Sequence, residues 1–204
     1  MAVAFEYVAG QTPLDPDEAE GLIPGHIATQ GQLNEWEAEN ILEAQTWALS
    51  QRRLTIEKLL DEGYIRKLHK RMFGKTWRWA GTFRKTEKNI GMAPEQIAMQ
   101  LTNLCRDATA RLTYGGALDE TAAWFHHRLV FIHAFSNGNG RHARLLTDLL
   151  LIALKQPPFD WGAGDLVVAG EVRARYLDAL RRADGRDYSL LRAFVRSGAA
   201  SRSK

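Results

Sequence analysis

A chain of 204 residues, 45% hydrophobic and 25% charged, suits one globular domain with a proper core and room for a short extension. A formal net charge of +3 suits anionic ligands but is too small to require nucleic acid. The single cysteine, Cys105, excludes an intramolecular disulfide and fits a reducing cytosol. No basic-then-apolar leader is present, and the longest apolar run, Leu149 to Leu154, is far short of the roughly 20 residues a membrane span needs, so the expectation is a soluble cytoplasmic protein.

Residues 1 to 32, with Pro13, Pro16, Pro24 and the glycines Gly10, Gly21, Gly25 and Gly31, read as an irregular arm. From Leu33 to Gln51 a helix is predicted: Leu33, Trp36, Asn40, Ala44 and Trp47 fall on one face, broadened by Ile41 and Ala48. Ile56 to Phe73 reads as a second amphipathic helix. Thr82 to Met92, with turn formers around Asn89 and Gly91, suits a short β-hairpin. Pro94 to Leu112, Thr121 to Ile132, Arg141 to Lys155 and Glu171 to Arg182 complete the helices, and Pro157 and Pro158 stop the most apolar one. No repeat or low-complexity tract is present.

The run from His133 to Arg144, His-Ala-Phe-Ser-Asn-Gly-Asn-Gly-Arg-His-Ala-Arg, carries the chemistry. An imidazole stands a few residues before a glycine-rich loop that leads into a strongly apolar segment. Glycines let a backbone turn its N–H groups toward an anion, and a helix N-terminus adds a partial positive charge. Arg141 and Arg144 are three apart and share the first helical turn, so both can reach phosphate oxygens. An ordinary turn between helices, with solvated arginines, is the plain alternative for each residue alone. It does not call for glycines flanking an asparagine together with a pair of arginines.

This run resembles the Fic signature, His-x-Phe-x-(Asp/Glu)-Gly-Asn-Gly-Arg-x-x-Arg, at every fixed position but one. Trp77 to Arg84 resembles the segment leading into the Fic flap, Phe125 to Ile132 the helix that delivers the motif histidine, and Tyr176 to Leu180 with Asp184 and Tyr188 the closing helices. The likeness covers roughly Thr55 to Val195, and within the family it is most similar to the group called mobile mystery protein B. It implies a mainly α Fic fold, a helical bundle with a short β-hairpin flap over the active site. Residues 1–54 would form an N-terminal arm and helix packing on the core, 55–196 the Fic domain and 197–204 a flexible tail.

The resemblance implies transfer of AMP from ATP to a hydroxyl of a target protein. A serine, threonine or tyrosine hydroxyl is a poor nucleophile at neutral pH, and His133, with an ordinary pKa near ~6.5, is the natural proton acceptor. Carried over by position, Gly138, Asn139, Gly140, Arg141 and Arg144 would bind the nucleotide, Arg144 reaching its terminal phosphate, and Phe135 would anchor the loop. Lys85, Glu87, Lys88 and Asn89 of the flap would lie near a target strand added to its edge, against the alternative of a plain surface hairpin. Asn137 departs from the family's carboxylate, which helps hold Mg2+; a neutral amide is a weaker ligand for that ion. Ala134 stands where proline is common and affects only loop rigidity. Three outcomes follow: a slower transferase, altered nucleotide preference or pose, or a nucleotide-binding regulatory or toxin-like partner with little transfer. Phosphoryl transfer and removal of AMP are the other reactions of the fold. A helix-turn-helix partner protein is implied by the resemblance alone.

Many Fic proteins are restrained by a helix bearing Ser/Thr-x-x-x-Glu-(Gly/Asn), whose glutamate pairs with the last motif arginine. Glu39-Asn40 matches the end of that pattern, but Glu35 stands where Ser or Thr belongs. At about 100° per residue Glu39 points away from the apolar stripe and Glu37 falls within it. Glu37 is therefore the candidate to restrain Arg144, against the reading of an ordinary amphipathic helix with exposed acids. Phe73-Gly74-Lys75-Thr76 ends like a P-loop but lacks the earlier glycine, with His69 in its place. His126, His127, His133 and His142 have no cysteine or carboxylate at zinc-ligand spacing. The arginines from Arg173 to Arg196 read as a solvated basic face rather than a nucleic-acid surface.

Overall fold

The computed structural model describes residues 13–163, 166–167 and 170–198. The first twelve positions of the expected arm, and the tail from 199 onward, lie outside them. The described residues form a helical bundle: α1 (Pro16–Ala19), α2 (Gln30–Leu49), α3 (Ile56–Leu59), α4 (Glu62–Phe73), α5 (Ile97–Thr113), α6 (Leu118–Ile132), α7 (Asn139–Ala153), α8 (Glu171–Asp184) and α9 (Ser189–Val195).

Local chemistry sets the boundaries. Thr29 caps α2 by accepting the Gln32 N–H, and the Gln32 side chain returns to the Thr29 N–H. This reciprocal pair starts the helix inside the stretch read as an arm. The helix predicted from Ile56 to Phe73 is two. Leu60 and Asp61 leave helical geometry, and the Asp61 carboxylate accepts the Tyr64 N–H at 2.9 Å as a new N-cap. α9, absent from the prediction, packs Leu191, Phe194 and Val195 against α8 and α6.

The core is organised around the antiparallel pair α6 and α7. One side of this pair, with Phe125, Leu129, Ile132, Leu146 and Leu149, joins α2, α4 and α5 in the larger apolar cluster. The other side, with Ala122, Ala123 and Leu151, meets Tyr176, Ala179 and Phe194 in the smaller one. Burial on both sides explains the run of leucines in the second half of α7, while Arg141 and Arg144 mark its less buried side. Since α6 ends and α7 begins at the same end of the bundle, their connection is held on a rigid base.

The hairpin expected over Thr82 to Met92 has no strand among the described residues; the segment is an irregular loop. Its two ends bond to the end of α6 instead of to each other: the Arg84 N–H donates to the Ala134 carbonyl at 3.0 Å and the Met92 N–H to that of Ile132 at 3.4 Å. A ladder cannot form between arms whose N–H groups are engaged elsewhere.

Candidate active site

α6 stops at Ile132 because His133 adopts a left-handed conformation, φ 53° and ψ 57°, with its N–H closing on Leu129. The chain then dives inward. Phe135 is buried and stacks on the His69 ring at 3.7 Å between centroids. Asn139 closes the loop over it, its Oδ1 accepting the Phe135 N–H at 2.9 Å and its Nδ2 donating to the Phe135 carbonyl at 2.7 Å. The loop's other restraint is His69, whose Nε2 lies 3.0 Å from the Asn137 carbonyl while Nδ1 accepts the Gly81 N–H at 3.0 Å. Because Nδ1 is an acceptor, Nε2 carries the proton, and burial holds the ring neutral with a pKa well below the usual histidine range. Gly138, at φ 77°, has no alternative residue. A Cβ there would fall 2.5 Å from the Phe73 ring.

This folding brings His133, Asn137, Gly138, Gly140, Arg141 and Arg144 to one open cleft, whose opposite wall is Tyr176, Leu177 and Arg173 of α8. α7 begins at Asn139, so its first N–H groups face this space. His133 is almost completely buried, and its Nδ1 donates to the Val130 carbonyl at 3.3 Å. That bond leaves the lone pair on Nε2. Burial, with the nearby Arg84 and Lys88 charges, brings its pKa down to about 4 despite the Val130 carbonyl, so the imidazole is in its basic form at neutral pH.

Several predicted roles are corrected by the geometry. The Asn139 side chain, expected among the nucleotide contacts, bonds through both ends of its amide to Phe135 and so closes the loop at the wall of the cleft. Glu37 is buried as its place on the α2 stripe requires, but it meets Arg141 and not Arg144. Its Oε2 accepts from Arg141 Nη1 and its Oε1 from Trp77 Nε1, both at 2.6 Å. The two arginines sit about 60° apart around α7. Arg141 therefore leans toward α2 and the Phe73 ring, whereas Arg144 leans toward α8, 5.8 Å from the Tyr176 ring centroid.

On the flap, Lys85, Glu87 and Asn89 are exposed. The Lys88 side chain is not: its Nζ is held by Asp15 at 2.8 Å and by Glu18, and Thr86 adds a hydroxyl bond to Asp15. The N-terminal α1 thus clasps the flap, and Lys88 is withdrawn from any target-facing surface.

A magnesium ion does not fit the donors in place. The Asn137 Oδ1 is turned onto the Gly138 N–H. Glu37, the one carboxylate among the described residues of the cleft, is consumed by Arg141 and Trp77. Trp77, Arg84, His69 and Tyr176 complete the site and were not among the predicted site residues. Trp77 meets Glu37, His69 meets Asn137 and Arg84 meets His133 only across long stretches of chain.

A family model described as the Fic/DOC family matches residues 59–151. The protein adenylyltransferase fic-1 of Caenorhabditis briggsae is 34% identical over 137 residues, which is 65% of this chain and 25% of that protein. This chain therefore spans about a quarter of that relative's length. The solved structure of Fic-1 from C. elegans is similar at a TM-score of 0.65 and 27% identity, covering 91% of this chain and 54% of that one. The N-terminal Fic domain of a VirB-translocated Bep effector protein from Bartonella quintana shares the fold at a TM-score of 0.68 and 20% identity, covering 88% and 91% of the two chains. With a buried imidazole delivered by one core helix to the glycine-flanked start of the next, and with the family match laid across this unit, residues 59–151 form a Fic/DOC-family domain.

Proposed function

We propose that this chain is a protein adenylyltransferase, moving AMP from ATP to a hydroxyl side chain of a target protein. The observation that carries this reading is the neutral His133 imidazole, its lone pair on Nε2, at the wall of a cleft that ends on the α7 N-terminus. In the reaction, Nε2 takes the hydroxyl proton as the oxygen attacks the α-phosphate. The bond to pyrophosphate breaks, and the new phosphoester remains on the target. Negative charge building on the phosphates is met by N–H groups of Gly140 and Arg141 and by the Arg144 guanidinium. These donors are fixed before substrate arrives, because Asn139 and His69 hold the loop. The name and the 34% identity of the nematode relative support the same chemistry. The exposed flap residues Lys85, Glu87 and Asn89 are the surface on which a target segment would rest.

The pairing of buried Glu37 with Arg141 favours a second reading, a nucleotide-binding protein held at low transfer until that pair opens. Incubation with ATP labelled at the α-phosphate and a mixture of candidate proteins separates the two. Label that appears with the native chain and disappears with His133→Ala supports the transferase. Nucleotide binding without transfer, in the native chain and in Glu37→Gly alike, rejects it.

A further inference from the structure

Arg84 is buried, 3% exposed, yet among the described residues its bonds go to backbone carbonyls and not to a carboxylate. A guanidinium removed from water without a carboxylate partner is costly unless its fork is filled by other acceptors. Here the fork is filled by three carbonyls that have a common geography. Nε donates to the carbonyl of His133 at 2.6 Å, Nη1 to that of Thr86 at 2.8 Å, and Nη2 to that of Met92. Thr86 and Met92 belong to the two ends of the flap, and His133 carries the base. The Arg84 backbone N–H adds a bond to the carbonyl of Ala134 at 3.0 Å. One residue therefore grips two successive carbonyls of the turn, His133 from its side chain and Ala134 from its main chain.

The gripped His133 is itself in an unusual, left-handed conformation. A left-handed conformation is disfavoured for a residue with a Cβ, so His133 holds φ 53° because its surroundings over-determine it. The flap is pressed as close to it as backbone allows. Gly91 has φ 110°, and a Cβ there would lie 2.6 Å from the His133 Cβ and 2.7 Å from Arg84 Nη2. By contrast the phosphate-facing part of the loop is held by a separate set of contacts, Asn139 on Phe135 and His69 on Asn137. The base and the nucleotide cradle are fixed by different residues.

We infer that Arg84 is a positioning residue for the transfer proposed above, clamping both ends of the flap onto the His133 carbonyl and so aiming the imidazole into the cleft. The inference rests on that reaction, and it separates aiming the base from binding the nucleotide. A carbonyl acceptor released from the clamp lets the left-handed turn relax, and a shift of the ring by an ångström costs on the order of 10²-fold in rate.

The test uses the full chain carrying Arg84→Met and Arg84→Lys, checked for folding by circular dichroism. Transfer rate at saturating ATP and the ATP dissociation constant are measured separately. Arg84→Met should lower the rate by about 10- to 100-fold while ATP affinity stays within about twofold, and Arg84→Lys, which keeps the charge and one donor, should restore about tenfold. A folded Arg84→Met with an unchanged rate, or with the loss appearing in ATP affinity, overturns the assignment. If Arg84→Met does not fold, Gly91→Ala presses a methyl on the same clamp with Arg84 intact, and it must show the same rate loss with spared affinity. Should the native chain transfer nothing, the adenylyltransferase reading fails by itself. The clamp is then decided by the 15N resonances of His133, which must leave the single Nδ1–H form in the variants; resonances unchanged from the native chain overturn it.

Discussion

Glu37 holds a charge where a nucleotide's charge would have to go. Each of its carboxylate oxygens has a donor at 2.6 Å, one from Trp77 and one from Arg141, distances typical of strong charge-assisted bonds. Arg141 is also partly open to the cleft, with its side chain 21% exposed, whereas Glu37 is almost wholly enclosed. An incoming phosphate therefore competes with Glu37 for one guanidinium. Replacing Glu37 by Gln removes the anion while keeping an acceptor for Trp77. ATP affinity should rise by about tenfold, ~1.4 kcal/mol, as Arg141 is released. Stability should fall by roughly 1–3 kcal/mol, because the half-buried Arg141 guanidinium loses its counter-charge and faces an amide N–H instead. Calorimetric titration with ATP checks the first figure and thermal unfolding the second. An unchanged ATP affinity would show that Arg141 is not a phosphate contact. The burial of Glu37 was legible in the sequence, since it follows from the helical angle of position 37 on the α2 stripe. Its partner was not. Choosing between Arg141 and Arg144 requires the rotation of α7 against α2 and α8, which no local pattern encodes.

At the scale of elements the unit is α6, a left-handed turn and α7, and its stiffness comes from side chains that replace secondary structure in the connection. Asn139 shows this most directly. Its amide imitates a strand partner for Phe135, supplying both an acceptor and a donor from within a buried site. Asn139→Ala leaves a buried N–H and C=O unsatisfied, and it should cost roughly 2–4 kcal/mol of stability. It should also weaken ATP binding, because the N–H groups at the α7 start lose their fixed direction. Urea unfolding and nucleotide titration of the same variant check the pair; a loss of stability with affinity intact would place the cradle's rigidity elsewhere. The long helices were legible because their apolar period is set by packing against one core. The flap was misread for a comparable reason. Asn89 and Gly91 are fair hairpin turn residues, but the carbonyls a hairpin would pair across are taken by the Arg84 guanidinium, and nothing in the alternation of residues 82–92 reveals that. The division of Ile56 to Phe73 was available in Asp61, a good N-cap residue, though a cap read alone does not stop the helix before it.

Across the whole molecule, the histidines form a charge reservoir that the fold keeps empty. His69, His126, His127, His133 and His142 are all buried, drawn from α4, α6, α7 and the turn between the last two. Burial is the first cause in each case and lowers every one of their pKa values, to about 3 for His126 and to about 4 for His133 and His142. Even His127, which faces the Asp184 carboxylate at 2.9 Å, is lowered. In the unfolded chain these groups titrate near ~6.5. The sign follows: below that pH the unfolded state binds more protons than the native one, so stability falls as pH falls, and is complete above it. Asp148 works in the opposite direction. Burial raises it to about 6 in spite of the bonds it accepts from Trp161 and Phe159, so its protonation favours the fold and offsets one histidine. The net loss between pH 6.5 and 5 is on the order of 5 kcal/mol, a large share of the roughly 5–15 kcal/mol that holds a domain together. Urea midpoints should therefore drop steeply from pH 6.5 to 5 and stay nearly level from 7 to 8. His142→Gln keeps an N–H for the Ile65 carbonyl while removing a titrating group, so it should flatten the slope without shifting the plateau by a comparable amount. A midpoint that does not move between pH 6.5 and 5 would mean that these rings admit protons in place, and the neutral His133 required for proton abstraction would lose its physical basis.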